Sequence, residues 1–127
     1  PGQQLYARAQ GLRLLCAEAR ACGTPFETAR KKIAYLFRAA RDVHQLAETH
    51  LTSAGQAEWV VHHLSAALAD MHAIQDWIGL DHFPRTQSHL EFAISAAEPA
   101  LGYARSFLWH HPGPYDVSRH STPDPEG

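Results

Sequence analysis

Three interruptions divide this chain into four helix-length stretches, and that division limits the possible folds more than any other feature of the sequence. The first is Gly23-Thr24-Pro25-Phe26-Glu27. Gly23 can end a helix in a left-handed conformation, and Thr24 can cap the next one. Pro25 suits the first helical position, where its missing N–H costs nothing, and Glu27 completes a capping box. The second break is Thr52-Ser53-Ala54-Gly55. The third runs from Gly79 to Pro84, after which Thr86, or Ser88 with Glu91, can cap a last helix.

Between the breaks, apolar residues recur with the helical period. The first helix, from about Gln3 to Cys22, presents Leu5, Leu12, Leu15, Cys16 and Ala19 on one stripe. The second, to about Leu51, presents Phe26, Ala29, Ile33, Phe37, Ala40, Val43, Ala47 and Leu51. The third runs from about Gln56 to Ile78 and presents Val60, Val61, Leu64, Ala67, Leu68, Met71, Ile74 and Ile78. The fourth, to about Trp109, presents Leu90, Ile94, Ala97, Leu101, Ala104 and Leu108, with a kink expected at Pro99. No internal sequence repeat is apparent. Short connections reverse the chain at each turn, so the expected fold is all-α: an antiparallel up-down-up-down four-helix bundle over residues 1–111. Residues 112–127 hold four prolines among polar residues without periodicity, and read as a disordered tail.

No apolar run approaches the roughly 18 residues of a membrane helix, and the first residues show no signal-peptide pattern. Cys16 and Cys22 stand roughly 9 Å apart along one helix, on different flanks, which is too far for a disulfide. A cytoplasmic location is therefore expected. The formal charge of −2 conceals an asymmetry. Residues 1–41 carry eight Lys/Arg and two Glu, whereas residues 42–84 carry six acids and no Lys or Arg. Attraction between oppositely charged helices accounts for this pattern. A nucleic-acid surface on Arg13, Arg20, Arg30, Lys31, Arg38 and Arg41 is the less favoured reading, since the protein is acidic as a whole.

A second stripe lies away from the expected core. Trp59 and Trp77 are eighteen residues apart, five whole turns, and share a line with His63, Ala66, Asp70 and Ala73. Phe92, Ala96 and Tyr103 point away from the core stripe of the fourth helix. Aligned aromatics on adjacent helices predict a homodimer surface formed by Trp59, Ala66, Ala73, Trp77, Phe92, Ala96 and Tyr103.

Ten histidines, six of them between Asp42 and Pro84, raise the question of chemistry. Imidazole titrates near physiological pH and is a common metal ligand. The turn between the third and fourth helices should bring His72, Asp76, His82 and His89 together as a surface zinc or nickel site. His44-x-x-x-Glu48 resembles the His-x-x-x-Glu element of hemerythrin-like bundles, although the first helix has no His. His62-His63-Leu64-Ser65-Ala66 resembles the phosphoacceptor segment of histidine phosphotransfer domains, which implies His62 as phosphoacceptor. Ser65 and Ala66 stand where that family has lysine and glycine. Arg105 and His110 fit the Arg-x4-His element of the HEPN helical ribonucleases. No Ser/His/Asp set, phosphate loop, Cys-x-x-Cys or HExxH is present, so catalysis is not supported. The leading expectation is a small non-enzymatic interaction or regulatory module that self-associates in a pH-responsive way. The alternatives are a His/Asp metal-binding bundle and a phosphotransfer-like domain.

Overall fold

The computed structural model describes residues 2–22, 26–77 and 84–111, with the side chains of Gly2, Phe26, Glu27, Thr28 and Trp77 left aside. Four helices make up these residues: α1 (Gly2–Cys22), α2 (Phe26–His50), α3 (Ala54–Trp77) and α4 (Pro84–His110). None is long and apolar enough to cross a membrane. Gly23, Thr24 and Pro25 of the first break, Ile78, Asp81, His82 and the tail lie outside the described residues.

The start of α3 is set by a signal that the sequence reading placed in the turn. Ser53 Oγ accepts a hydrogen bond from the Gln56 backbone N–H at 3.2 Å. The Gln56 side-chain oxygen accepts in return from the N–H groups of Ser53 (3.2 Å) and Thr52 (2.7 Å). This is a reciprocal capping box, so Ala54 and Gly55 belong to the first turn of α3. At the other break, α4 begins at Pro84, earlier than the Thr86 or Ser88 caps imply. A proline at the first helical position loses no intrahelical bond. Thr86 and Gln87 are consequently buried inside the first turn. Farther along, α4 runs on across Pro99. Both Pro99 and Ser95 are exposed, so the Ser95 carbonyl that loses its partner can turn to water.

Cross-helix pairs give the directions. Glu18 pairs with Lys32 and Arg8 with Asp42, so α1 and α2 are antiparallel. Tyr6 meets Trp59, Arg13 meets His63 and Arg20 meets Asp70, so α1 and α3 run the same way. Phe37 meets Phe92, and Arg30 and Ala34 share a cleft with Arg85 and His89, so α2 and α4 also run together. Successive helices therefore alternate in direction, as an up-down-up-down bundle requires. Around the bundle, however, α1 packs against α2 and α3, and α4 packs against α2 and α3. Among the described residues neither α1 and α4 nor α2 and α3 share a seam.

One core joins all four helices. Leu5, Leu12, Cys16, Ile33, Val43, Val60, Leu64, Met71, Ile74 and Leu90 are fully buried, as the periodicity implies. Alanines line much of the remainder, including Ala9, Ala40, Ala57, Ala67, Ala93, Ala97, Ala100 and Ala104. Small side chains at these contacts let helix axes approach toward the close end of the usual range, about 8 Å. The register of α2 differs from the sequence reading: Leu36 is fully buried, and Phe37 is 38 % exposed. Val61 and Leu15 are only partly buried against the core edge.

Candidate functional site

The aromatic line on α3 has a partner within the chain. The Trp59 indole Nε1–H donates to the Tyr6 carbonyl on α1 at 3.1 Å. The two rings meet edge to face, with centroids 5.2 Å apart. One turn on, the His63 ring lies 4.4 Å from the Trp59 ring and is almost completely buried. Arg13 Nη1 donates to His63 Nδ1 at 3.3 Å, which requires a neutral imidazole with its proton on Nε2. Burial, then the Arg13 charge, then neighbouring His62 hold the His63 pKa below the usual value of 6.5. Two turns farther, Arg20 and Asp70 pair at 2.8 Å. Burial, and after it the Asp70 carboxylate, pushes the Cys16 thiol up to about 12. Both cysteines are free.

Six of the seven residues expected to form one surface are described, and they do not share one face. Trp59, half-buried, stands at the α1/α3 seam, with Ala66 and Ala73 partly buried on the same helix. Phe92 and Tyr103 are exposed on the outer side of α2 and α4, with Ala96 partly buried between them. The Trp77 side chain lies outside the described residues.

The α2/α4 side carries an exposed aromatic surface. Phe37 and Phe92 form a tilted pair with centroids 6.0 Å apart, and Phe92 is 57 % exposed. The Arg41 guanidinium lies 5.7 Å over the Phe37 ring. Beyond Ala96 and Pro99 a groove of about 220 Å³ opens among Tyr103, Ser106, Phe107, His110 and His111. The Phe107 and His111 rings, both lining it, meet with centroids 4.6 Å apart. His44 and Glu48 on α2 are joined at 3.3 Å. Sequence reasoning missed Phe37, Phe107 and Arg41 here. The signal was present in the helical phase of Phe37 and Arg41, but reading it needs to know which helix stands beside α2.

Among the described residues the histidines of the expected metal site do not converge. His72 and Asp76 are exposed on α3. His89 faces the α2/α4 cleft with Arg30, Lys31 and Arg85, while His82 lies outside the described residues. Among the described residues no three His, Cys, Asp or Glu side chains gather as a metal site. His62 is exposed, edge-on to His63 at 5.1 Å. Arg105 and His110 are both exposed on α4. Of the basic flank, Arg13 and Arg20 are engaged with α3, and Arg38 is exposed. No family model, curated protein or solved structure matches this chain.

Proposed function

We propose that this protein is a non-enzymatic interaction module that self-associates through the outer side of α2 and α4. The observation carrying this reading is the exposed Phe37–Phe92 pair between α2 and α4, with an aromatic groove farther along α4. An isologous dimer requires a self-complementary patch, in which residue i of one copy meets residue j of the other and the reverse. Phe92 and Phe107 are equidistant from a point between Pro99 and Ala100, and so are Ala96 and Tyr103. A two-fold axis crossing α4 there lays the Phe92 ridge of each copy into the Tyr103–Phe107–His111 groove of the other. On α2, which runs parallel at matching height, the same axis sets exposed Arg41 opposite exposed Glu48. Shape and charge are thus matched by one operation. His44, His110 and His111 border this contact, so imidazole protonation would add charge to it and give the association a pH response.

Light scattering and sedimentation across protein concentration test this reading. A dimer is expected for the native chain, and a monomer for Phe92→Asp. Arg41→Glu and Glu48→Arg should each weaken association, and the double reversal should restore it. A native monomer at all concentrations, or a dimer indifferent to Phe92→Asp, would refute the proposal.

A further inference from the structure

A cleft of about 420 Å³ lies at the beginning of α2 and α4. Its walls are Arg30, Lys31 and Ala34 from α2, and Pro84, Arg85, Thr86 and His89 from α4. Among these described residues every ionisable group is a base. Bases that face one space draw an anion into it. Because α2 and α4 are parallel, their N-terminal ends stand together, and both point the positive end of the helix dipole at this side of the molecule.

Two further features favour a compact oxyanion over a diffuse counter-ion cloud. The first turn of α4 contains no acidic residue. The N–H groups of Arg85 and Thr86 precede the first intrahelical bond and have no acceptor within the helix. Both residues line the cleft. Arg85 and His89 are four residues apart, so both side chains rise from one face of α4 toward Lys31 across the seam. A guanidinium, an ammonium, an imidazole and first-turn amides around one space is the donor set that suits a tetrahedral oxyanion with several acceptor oxygens.

We infer that this cleft binds a phosphate-class oxyanion, inorganic phosphate or the phosphate group of a small monoester, held by Lys31, Arg85 and the first-turn amides of α4 with Arg30 and His89 at the walls. The cleft adjoins the near edge of the proposed dimer contact, with His89 about one turn from Phe92, while the axis of that contact lies about four turns away along α4. Its volume falls at the lower end of ordinary ligand pockets, which suits a small phosphorylated molecule.

The test is a titration of the full chain with inorganic phosphate, and separately with glycerol 3-phosphate, against chloride at matched ionic strength. Amide resonances are followed by NMR and affinity by calorimetry. Saturable shifts centred on Arg85, Thr86 and His89 are expected. Arg85→Gln and Lys31→Gln, both at exposed positions, should weaken binding at least about tenfold each, the scale of one charge-assisted hydrogen bond. Arg105→Gln, exposed at a distant point on α4, should leave it unchanged. Equal binding of both probes identifies free phosphate as sufficient, and tighter binding of the monoester identifies an esterified ligand. Unsaturable shifts, equal loss in Arg105→Gln, or full retention in Arg85→Gln with Lys31→Gln would overturn the inference. So would tight binding of an oligonucleotide with the steep salt dependence of many phosphate contacts.

Discussion

Replacing Leu36 and Phe37 separately by alanine gives the sharpest test of how α2 is set in the bundle. Periodicity alone puts Phe37 in the core, whereas the structure buries Leu36 completely and leaves Phe37 38 % exposed. Leu36→Ala removes three carbons from a closed site walled by other helices, which cannot collapse freely to fill the space. Transfer and cavity terms together should cost about 3–4 kcal/mol. Phe37→Ala removes a ring that is partly in water already and rests on the still more exposed Phe92. Roughly 80 Å² of covered ring at ~25 cal/mol per Å² gives about 2 kcal/mol, with no cavity term because water enters the space. Leu36→Ala should therefore be the costlier change by about 1–2 kcal/mol. Were Phe37 the core residue, the order would reverse, since a core Phe→Ala costs about 3–5 kcal/mol. Urea unfolding followed by circular dichroism, below the concentration at which the chain associates, measures both. Unchanged slopes confirm that stability alone has moved. A Phe37→Ala loss equal to or larger than that of Leu36→Ala would refute this register.

Two other predictions follow from single residues. The His63 pKa is depressed in the folded protein, chiefly by burial and then by Arg13, so protons bind the unfolded chain more readily. Its contribution to stability is complete well above the unfolded value near 6.5 and is lost as pH falls through that value toward the folded one. The urea midpoint should drop between pH 8 and pH 5.5, and less so in Arg13→Met; an identical drop in both would count against the Arg13–His63 contact. Cys16, fully buried with its thiol at about 12, should resist a thiol reagent until the protein unfolds, while half-buried Cys22 reacts in the native state. Two fast-reacting thiols in the native protein would exclude the buried placement.

Helix number and most inward-facing residues could be read from the sequence because their causes are local. Leu5, Leu12, Ile33, Val43, Leu64, Met71 and Leu90 lie on stripes that recur every turn, and each proves fully buried. Ser53 and Gln56 carried a capping signal of the same local kind, overlooked because Gly55 stands between them. The candidate site was less legible. Phe92 and Tyr103 were recognised as outward-facing, but Trp59 was grouped with them, since a helical wheel shows which residues share a line and not what lies opposite that line.

The sequence by itself determined four helices, their alternating directions and the chemistry on each face, all through contacts within one turn or across a short connection. Only the tertiary structure decided that α1 stands beside α3, and α2 beside α4. That choice depends on how stripes of alanine and larger side chains interlock between segments far apart in the chain, which no local period encodes. It covers Trp59 and His63 with α1 and leaves Phe37 and Phe92 facing outward. It also gathers Arg30, Lys31, Arg85 and His89 around one cleft, although α3 separates the two pairs in the sequence.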